Sequence, residues 1–157
     1  MLESVPVFLQ ALTSGAAAKS AWSKWRAQSH GNAKLLIAEL RNNLRFCTLV
    51  LDDDLDVGEA MHVLSTQQYD RLAGEDPDLK SLSPRKIQNL GIKDDKKLAS
   101  WQGRRTVELL DNIYEKIKDI QVFYPNPKSR KNRRWSVRVI NIRNRILLLL
   151  ASAKTGK

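Results

Sequence analysis

The sequence predicts an all-α protein: a helical bundle of about five helices that ends in a basic loop and a basic helix. Three observations carry that expectation. Apolar residues recur at alternating three- and four-residue steps along most of the chain, which places them on one face of a helix. Only 7 Gly and 5 Pro occur in 157 residues, so few positions break a helix. Runs of β-branched residues are few. The length suits one domain spanning 1–157, large enough to bury a core without disulfide or metal staples.

Residues 1–31 read as an N-terminal helical region, broken near Ser14-Gly15, with Ser4 as a cap and Pro6 in the first turn. Trp22 and Trp25 stand three apart and share a face. His30-Gly31-Asn32 interrupts the pattern. The clearest helix spans Asn32 to Leu51: Ala33, Ile37, Leu40, Leu44, Cys47 and Leu51 form a seam, with Asn42, Asn43 and Arg45 off it. An acidic turn, Asp52-Asp53-Asp54-Leu55, leads to Asp56 and Glu59, a capping-box pattern for a helix carrying Val57, Met61, Leu64, Gln68 and Leu72.

Glu75 to Leu82 is a connector. Ser83-Pro84 opens a short helix that Gly91 closes. Asp94 or Asp95 then caps a helix reaching Val122, about 28 residues and roughly 40 Å long. Its stripe is Leu110, Ile113, Ile117 and Ile120, with Leu98 and Trp101 near its start, and Pro125 and Pro127 stop it. The last helix runs from Trp135 to Ala153, with Trp135, Val139, Ile142, Ile146, Leu149 and Ala153 on one face. Ile146 to Leu150 is apolar all round, so it belongs at the centre of a bundle or in a subunit contact. The helices Asn32–Leu51, Asp95–Val122 and Trp135–Ala153 are expected at the bundle's centre.

Charge adds a functional signal. The net charge is +10. From Pro125 to Lys157 there are ten Lys/Arg and no Asp/Glu, whereas the 17 basic and 17 acidic residues before Pro125 cancel. Such asymmetry points to an anionic partner. The basic loop, residues 125–134, holds five positive charges between Lys128 and Trp135. On a helical wheel Arg134, Arg138 and Arg145 share one narrow stripe beside Asn141. Guanidinium forks spaced along a helix suit phosphate oxygens, and Trp135 could stack on an unpaired base. The candidate nucleic-acid-binding residues are therefore Lys128, Arg130, Lys131, Arg133, Arg134, Trp135, Arg138 and Arg145. Nothing in them encodes base specificity.

Other chemistry finds little material. Asp52-x-Asp54-x-Asp56 resembles the opening of an EF-hand calcium loop, but Val57 and Val63 stand where that loop needs Gly and a bidentate Glu. Helix capping is the reading for these acids; pairing with the basic segment is another. Arg143-Asn144 resembles the Arg-polar pair of helical HEPN-type ribonucleases. The catalytic His of that motif falls where this chain has Leu148, Leu149 and Leu150, so the resemblance implies at most an inactive relative. His30 and His62 are isolated, and no Cys/His metal spacing, glycine-rich phosphate loop or nucleophile elbow occurs. Cys47, on its helix seam, reads as an inert buried thiol.

A lone cysteine and no transmembrane-length apolar run suggest a reducing setting, cytoplasmic or nuclear, with no membrane association and no signal peptide. The expectation is a non-catalytic nucleic-acid-binding protein with no cofactor or metal. It would contact the phosphate backbone of RNA or single-stranded DNA as a small subunit of a larger nucleoprotein complex. The alternative is a protein-interaction or regulatory module that docks on an acidic partner or self-associates through its C-terminal helix. An RNA-cleaving helical toxin or defence effector is a weaker one.

Overall fold

The computed structural model describes residues 5–76 and 79–155, and the chain is all-α with no strand among them. A 3-10 segment, Val7–Leu12, leads to α1 (Gly15–Gln28) and α2 (Ala33–Leu51). Three shorter pieces follow: α3 (Val57–Ala60), a 3-10 turn at Met61–Val63, and α4 (Gln67–Glu75). The second half holds α5 (Lys96–Ala99), α6 (Thr106–Phe123), α7 (Pro127–Lys131) and α8 (Trp135–Thr155). The proposed cap Ser4 lies outside the described residues, and Pro6 precedes the first helical turn.

α8 is the axis of the bundle. α1, α2, α6 and the Val7–Leu12 segment all pack against it. That arrangement explains why Ile146–Leu150 is apolar all round: each of its five residues is at most 1% exposed. The chain's own helices fill that segment's surroundings, which leaves none of it for a subunit contact. The three helices expected at the centre do pack together there, with α8 as their common partner, and α1 joins them. On α1, Trp22 and Trp25 are buried and stack with ring centroids 5.9 Å apart. Lys24 Nζ donates to the Lys154 carbonyl, in the last turn of α8, where backbone acceptors lack intrahelical partners.

Three expected helices differ from those observed, each for a reason that lies in tertiary contacts. The helix expected from Val57 to Leu72 is interrupted at Leu64–Thr66. There Asn43 of α2 forms two reciprocal 2.9 Å bonds with Ser65, its amide donating to the Ser65 carbonyl and its oxygen accepting the Ser65 N–H. Asn43, off the apolar seam, is fully buried for this purpose. The buried Glu39, one turn earlier, accepts hydrogen bonds from Ser65 Oγ (2.8 Å), Gln68 N (2.8 Å), Tyr69 N (3.2 Å) and the Tyr114 hydroxyl (2.8 Å). A side chain of α2 therefore caps α4 and ties both to α6.

No helix forms from Ser83 to Gly91. That stretch runs extended beside 103–106, with bonds from Ile87 N to Arg104 O, Gly103 N to Ile87 O and Thr106 N to Arg85 O, each 2.8 Å. This pairing also splits the helix expected from Asp95 to Val122. Asp95 does act as a cap, accepting from Leu98 N, but α5 ends after one turn. Gly103 then turns the chain at φ +82°, a conformation that costs a residue with a Cβ. The remaining helix, α6, has 18 residues and is about 27 Å long.

Candidate nucleic-acid interface

The basic segment after α6 is a folded clasp. Pro125 ends α6, and Asn126 caps α7 by accepting from Lys128 N at 3.0 Å with Pro127 at the first helical position. Arg130 turns back toward α6: its Nε donates to the Tyr124 carbonyl at 2.8 Å, and its guanidinium lies 4.7 Å from the Tyr124 ring centre. Trp135 Nε1 donates to the Arg130 carbonyl at 2.9 Å, while its ring meets Tyr124 edge-on at 5.1 Å. The Tyr124 hydroxyl in turn donates to Asp56 Oδ1 at 2.8 Å. Asp56 Oδ2 accepts from Gly58 N, which caps α3 as the capping reading expects. Gly58 is needed there: a Cβ would stand 2.9 Å from Asp56 Oδ2 and 3.1 Å from the Tyr124 ring. The Tyr124 bond, with smaller help from backbone N–H groups and Arg130, holds the Asp56 carboxyl below its ordinary 3.8.

Beside this clasp lies an open cleft of about 600 Å³. α6 contributes Lys116, α7 contributes Lys128, the turn after α7 contributes Arg133 and Arg134, and α8 contributes Arg138. Ser129, Asn132 and Asn141 add neutral polar groups, and among the described residues no carboxylate lines the cleft. Arg133 is steadied by the Phe123 ring, 4.2 Å from its guanidinium. The half-buried Lys116 is pushed below the ordinary lysine value of 10.5, first by burial and then by the positive charges of Arg145 and Arg138. Asp119 and Glu115 act against that shift. Cations brought close enough to disfavour one another's charge favour an anion between them.

The eight residues singled out from the sequence separate into three groups. Lys128, Arg133, Arg134 and Arg138 line the cleft. Arg130 and Trp135 serve the clasp, in which the Trp135 ring, half-buried, packs edge-on against Tyr124. Lys131 is exposed but is not part of the lining. Arg145 is a correction. It is only 8% exposed and donates from Nη1 to the Asn141 carbonyl at 3.1 Å, because α5 packs over that turn of α8 and brings Asp95 near it. Its charge reaches the cleft through Lys116; its fork does not line it. Lys116 had no signal in the sequence, since its role depends on α6 lying beside α8.

The remaining candidates make contacts within the fold. Arg143 and Asn144 are buried, with Arg143 Nε donating to Asn144 Oδ1 at 3.2 Å. His62 Nδ1 lies 2.8 Å from the Glu59 carbonyl oxygen. The Cys47 thiol is fully buried and pushed up to about 12 by loss of solvent, with Arg143 opposing. Among the described residues, no group of three or more His, Cys, Asp or Glu side chains could hold a metal ion, and no helix is long and apolar enough to cross a membrane. No family model, no curated protein and no solved structure matches this chain, so the functional reading rests on the chemistry of the cleft.

Proposed function

We propose that the cleft between α6, α7 and α8 binds the phosphate backbone of RNA or single-stranded DNA, and that the protein is a non-catalytic subunit of a larger nucleoprotein assembly. One observation carries the reading: five cations from three helices and a turn line one cleft, with no carboxylate among its described lining residues to neutralise them. Arg133, Arg134 and Arg138 offer planar donor forks for phosphate oxygens, and Lys116 and Lys128 supply point charges. Asn132, Asn141 and Ser129 can complete the donor set around a phosphodiester or a ribose hydroxyl. The neutral lining has no ring to stack a base, so recognition by backbone and shape is the form the cleft supports. Docking on a protein through the Ile146–Leu150 face has no comparable support, because that face is consumed inside the bundle.

The test is the salt dependence of binding to a labelled single-stranded RNA, read by fluorescence anisotropy. Five neutralised phosphates on a single strand give a slope of about −3.5 in log K against log salt, or about 130-fold weaker binding between 50 and 200 mM salt. The double variant Arg134→Ala, Arg138→Ala should flatten the cleft's contribution to about −2.1, or about 18-fold over the same range. Arg130→Ala, whose side chain serves the clasp, should leave the slope near that of the parent. Parent binding that is absent at low salt, or a double variant with an unchanged slope, overturns the reading.

A further inference from the structure

The charge balance before Pro125 conceals a second asymmetry. From Val5 to Leu51 the chain carries Lys19, Lys24, Arg26, Lys34, Arg41 and Arg45 against one acid, Glu39. That acid is buried and spends both oxygens on Ser65, Gln68, Tyr69 and Tyr114, so it screens nothing at the surface. From Asp52 to Tyr124 fifteen acids outnumber eleven bases, so the cancellation is between regions rather than between neighbours.

Folding gathers three of these N-terminal cations. A groove of about 450 Å³ runs between the start of α1 and the second half of α2. Its lining includes Lys19 from α1 and Arg41 and Arg45 from α2, four residues apart and therefore on one face. Thr13, Asn42 and Thr48 supply further polar groups, and among the described residues no carboxylate lines it. Lys19, Arg41 and Arg45 are all exposed, and no carboxylate among the described residues pairs with them. The three cations carry the assignment. The N-terminus of α1 adds to it: Ser14 makes no side-chain cap bond and the first turn holds no acid, so its partial positive charge stands uncompensated beside the groove.

From this convergence we infer that the α1–α2 groove is a second polynucleotide-binding surface, built on different elements from the α6–α7–α8 cleft and taking the phosphodiesters of a single strand. It rests on the proposed nucleic-acid reading and extends the contact to another face of the chain. Trp22, which also borders the groove, is buried in its stack with Trp25, so this surface too grips backbone rather than bases.

The test compares three full-length proteins on one labelled 30-nucleotide RNA and on a DNA of the same sequence: the parent, the cleft variant Arg134→Ala, Arg138→Ala, and the groove variant Lys19→Ala, Arg41→Ala, Arg45→Ala. All groove substitutions fall on exposed side chains, and an unfolding curve for each variant is the check that it folds. Losing three phosphate contacts should lower the magnitude of the groove variant's salt slope by about 2.1 and its affinity by about tenfold or more at low salt. The charge-keeping variant Arg41→Lys, Arg45→Lys should restore most of the slope. A groove variant that matches the parent, while the cleft variant loses binding, overturns this inference and leaves the cleft reading standing. A cleft variant that matches the parent, while the groove variant loses binding, overturns the cleft reading and keeps the groove. Absence of binding by the parent on both probes overturns both.

Discussion

Glu39→Ala should be the most informative single change to the scaffold. The carboxylate is buried and takes four donors: Ser65 Oγ, two backbone amides at the N-terminus of α4, and the fully buried Tyr114 hydroxyl. Two effects compete. Desolvating a carboxylate costs several kcal/mol, and truncation relieves that cost. Truncation also strands the donors, each of which loses about 1–3 kcal/mol when left without a partner. Four donors stranded at about 2 kcal/mol each lose about 8 kcal/mol, and a relief of about 5 kcal/mol leaves a net loss of about 3 kcal/mol. For a chain of this size that is a fall in Tm of about 6–12 °C. Glu39→Gln keeps one acceptor oxygen but turns an amide toward donors, and should cost roughly half as much. Urea and thermal unfolding followed by far-ultraviolet circular dichroism measures both. A loss below about 1 kcal/mol for Glu39→Ala, or a Glu39→Gln variant as stable as the parent, would show that water replaces the carboxylate and that α2 does not hold α4.

Three other outcomes follow from the same geometry. Because Asp56 titrates below its ordinary value when folded, the unfolded chain binds more protons there. Its contribution to stability is present above about pH 4 and is lost as pH falls through the lowered folded value. Tyr124→Phe, which removes the largest cause, should flatten that acid limb in unfolding curves taken across the window; an unchanged limb would assign the slope elsewhere. Lys116→Met should raise Tm slightly, by removing a half-buried charge crowded by Arg145 and Arg138, while weakening RNA binding. A variant that loses both stability and binding would count against a strained cationic cleft. The Cys47 thiol, buried and pushed up to about 12, should resist a thiol reagent in the native protein and react on unfolding; prompt native labelling would contradict its burial.

What could be read from the sequence was whatever depends on near neighbours. The seam of α2 and the all-round apolar stretch of α8 follow from periodicity, so their existence and type were clear and their ends were correct to within a residue or two. The Asp56 cap is legible for the same reason, and the second cap is legible to within the pair Asp94-Asp95, of which Asp95 serves. The sequence reading and the structure part where a distant side chain or extended segment decides the local conformation. Asn43 and Glu39 break the chain at Ser65, and the 84–88 segment pulls 103–106 out of helix. At the site, four of the cleft cations lie in the contiguous basic run and its helical continuation and were found. Lys116 was not, because only packing brings α6 to α8. Arg145 was placed on the exposed stripe because a wheel does not show that α5 covers one turn of it. The trio Lys19, Arg41 and Arg45 was hidden by a sum over residues that never meet.

The central position of α8 has a kinetic consequence. Its partners α1 and α2 lie roughly 100 residues earlier in the chain, so the contacts that complete the core require closing long loops before they return any stabilisation. Until α8 arrives, α1, α2 and α6 have no common surface on which to bury their apolar faces. This topology favours one late cooperative transition over stepwise assembly, and folding slower than a bundle of sequential hairpins achieves. It also gives any ligand gripping Arg134 and Arg138 a hold on the helix around which everything else condenses. Protection against the slowest amide exchange would then spread through the whole bundle rather than stay at the binding surface.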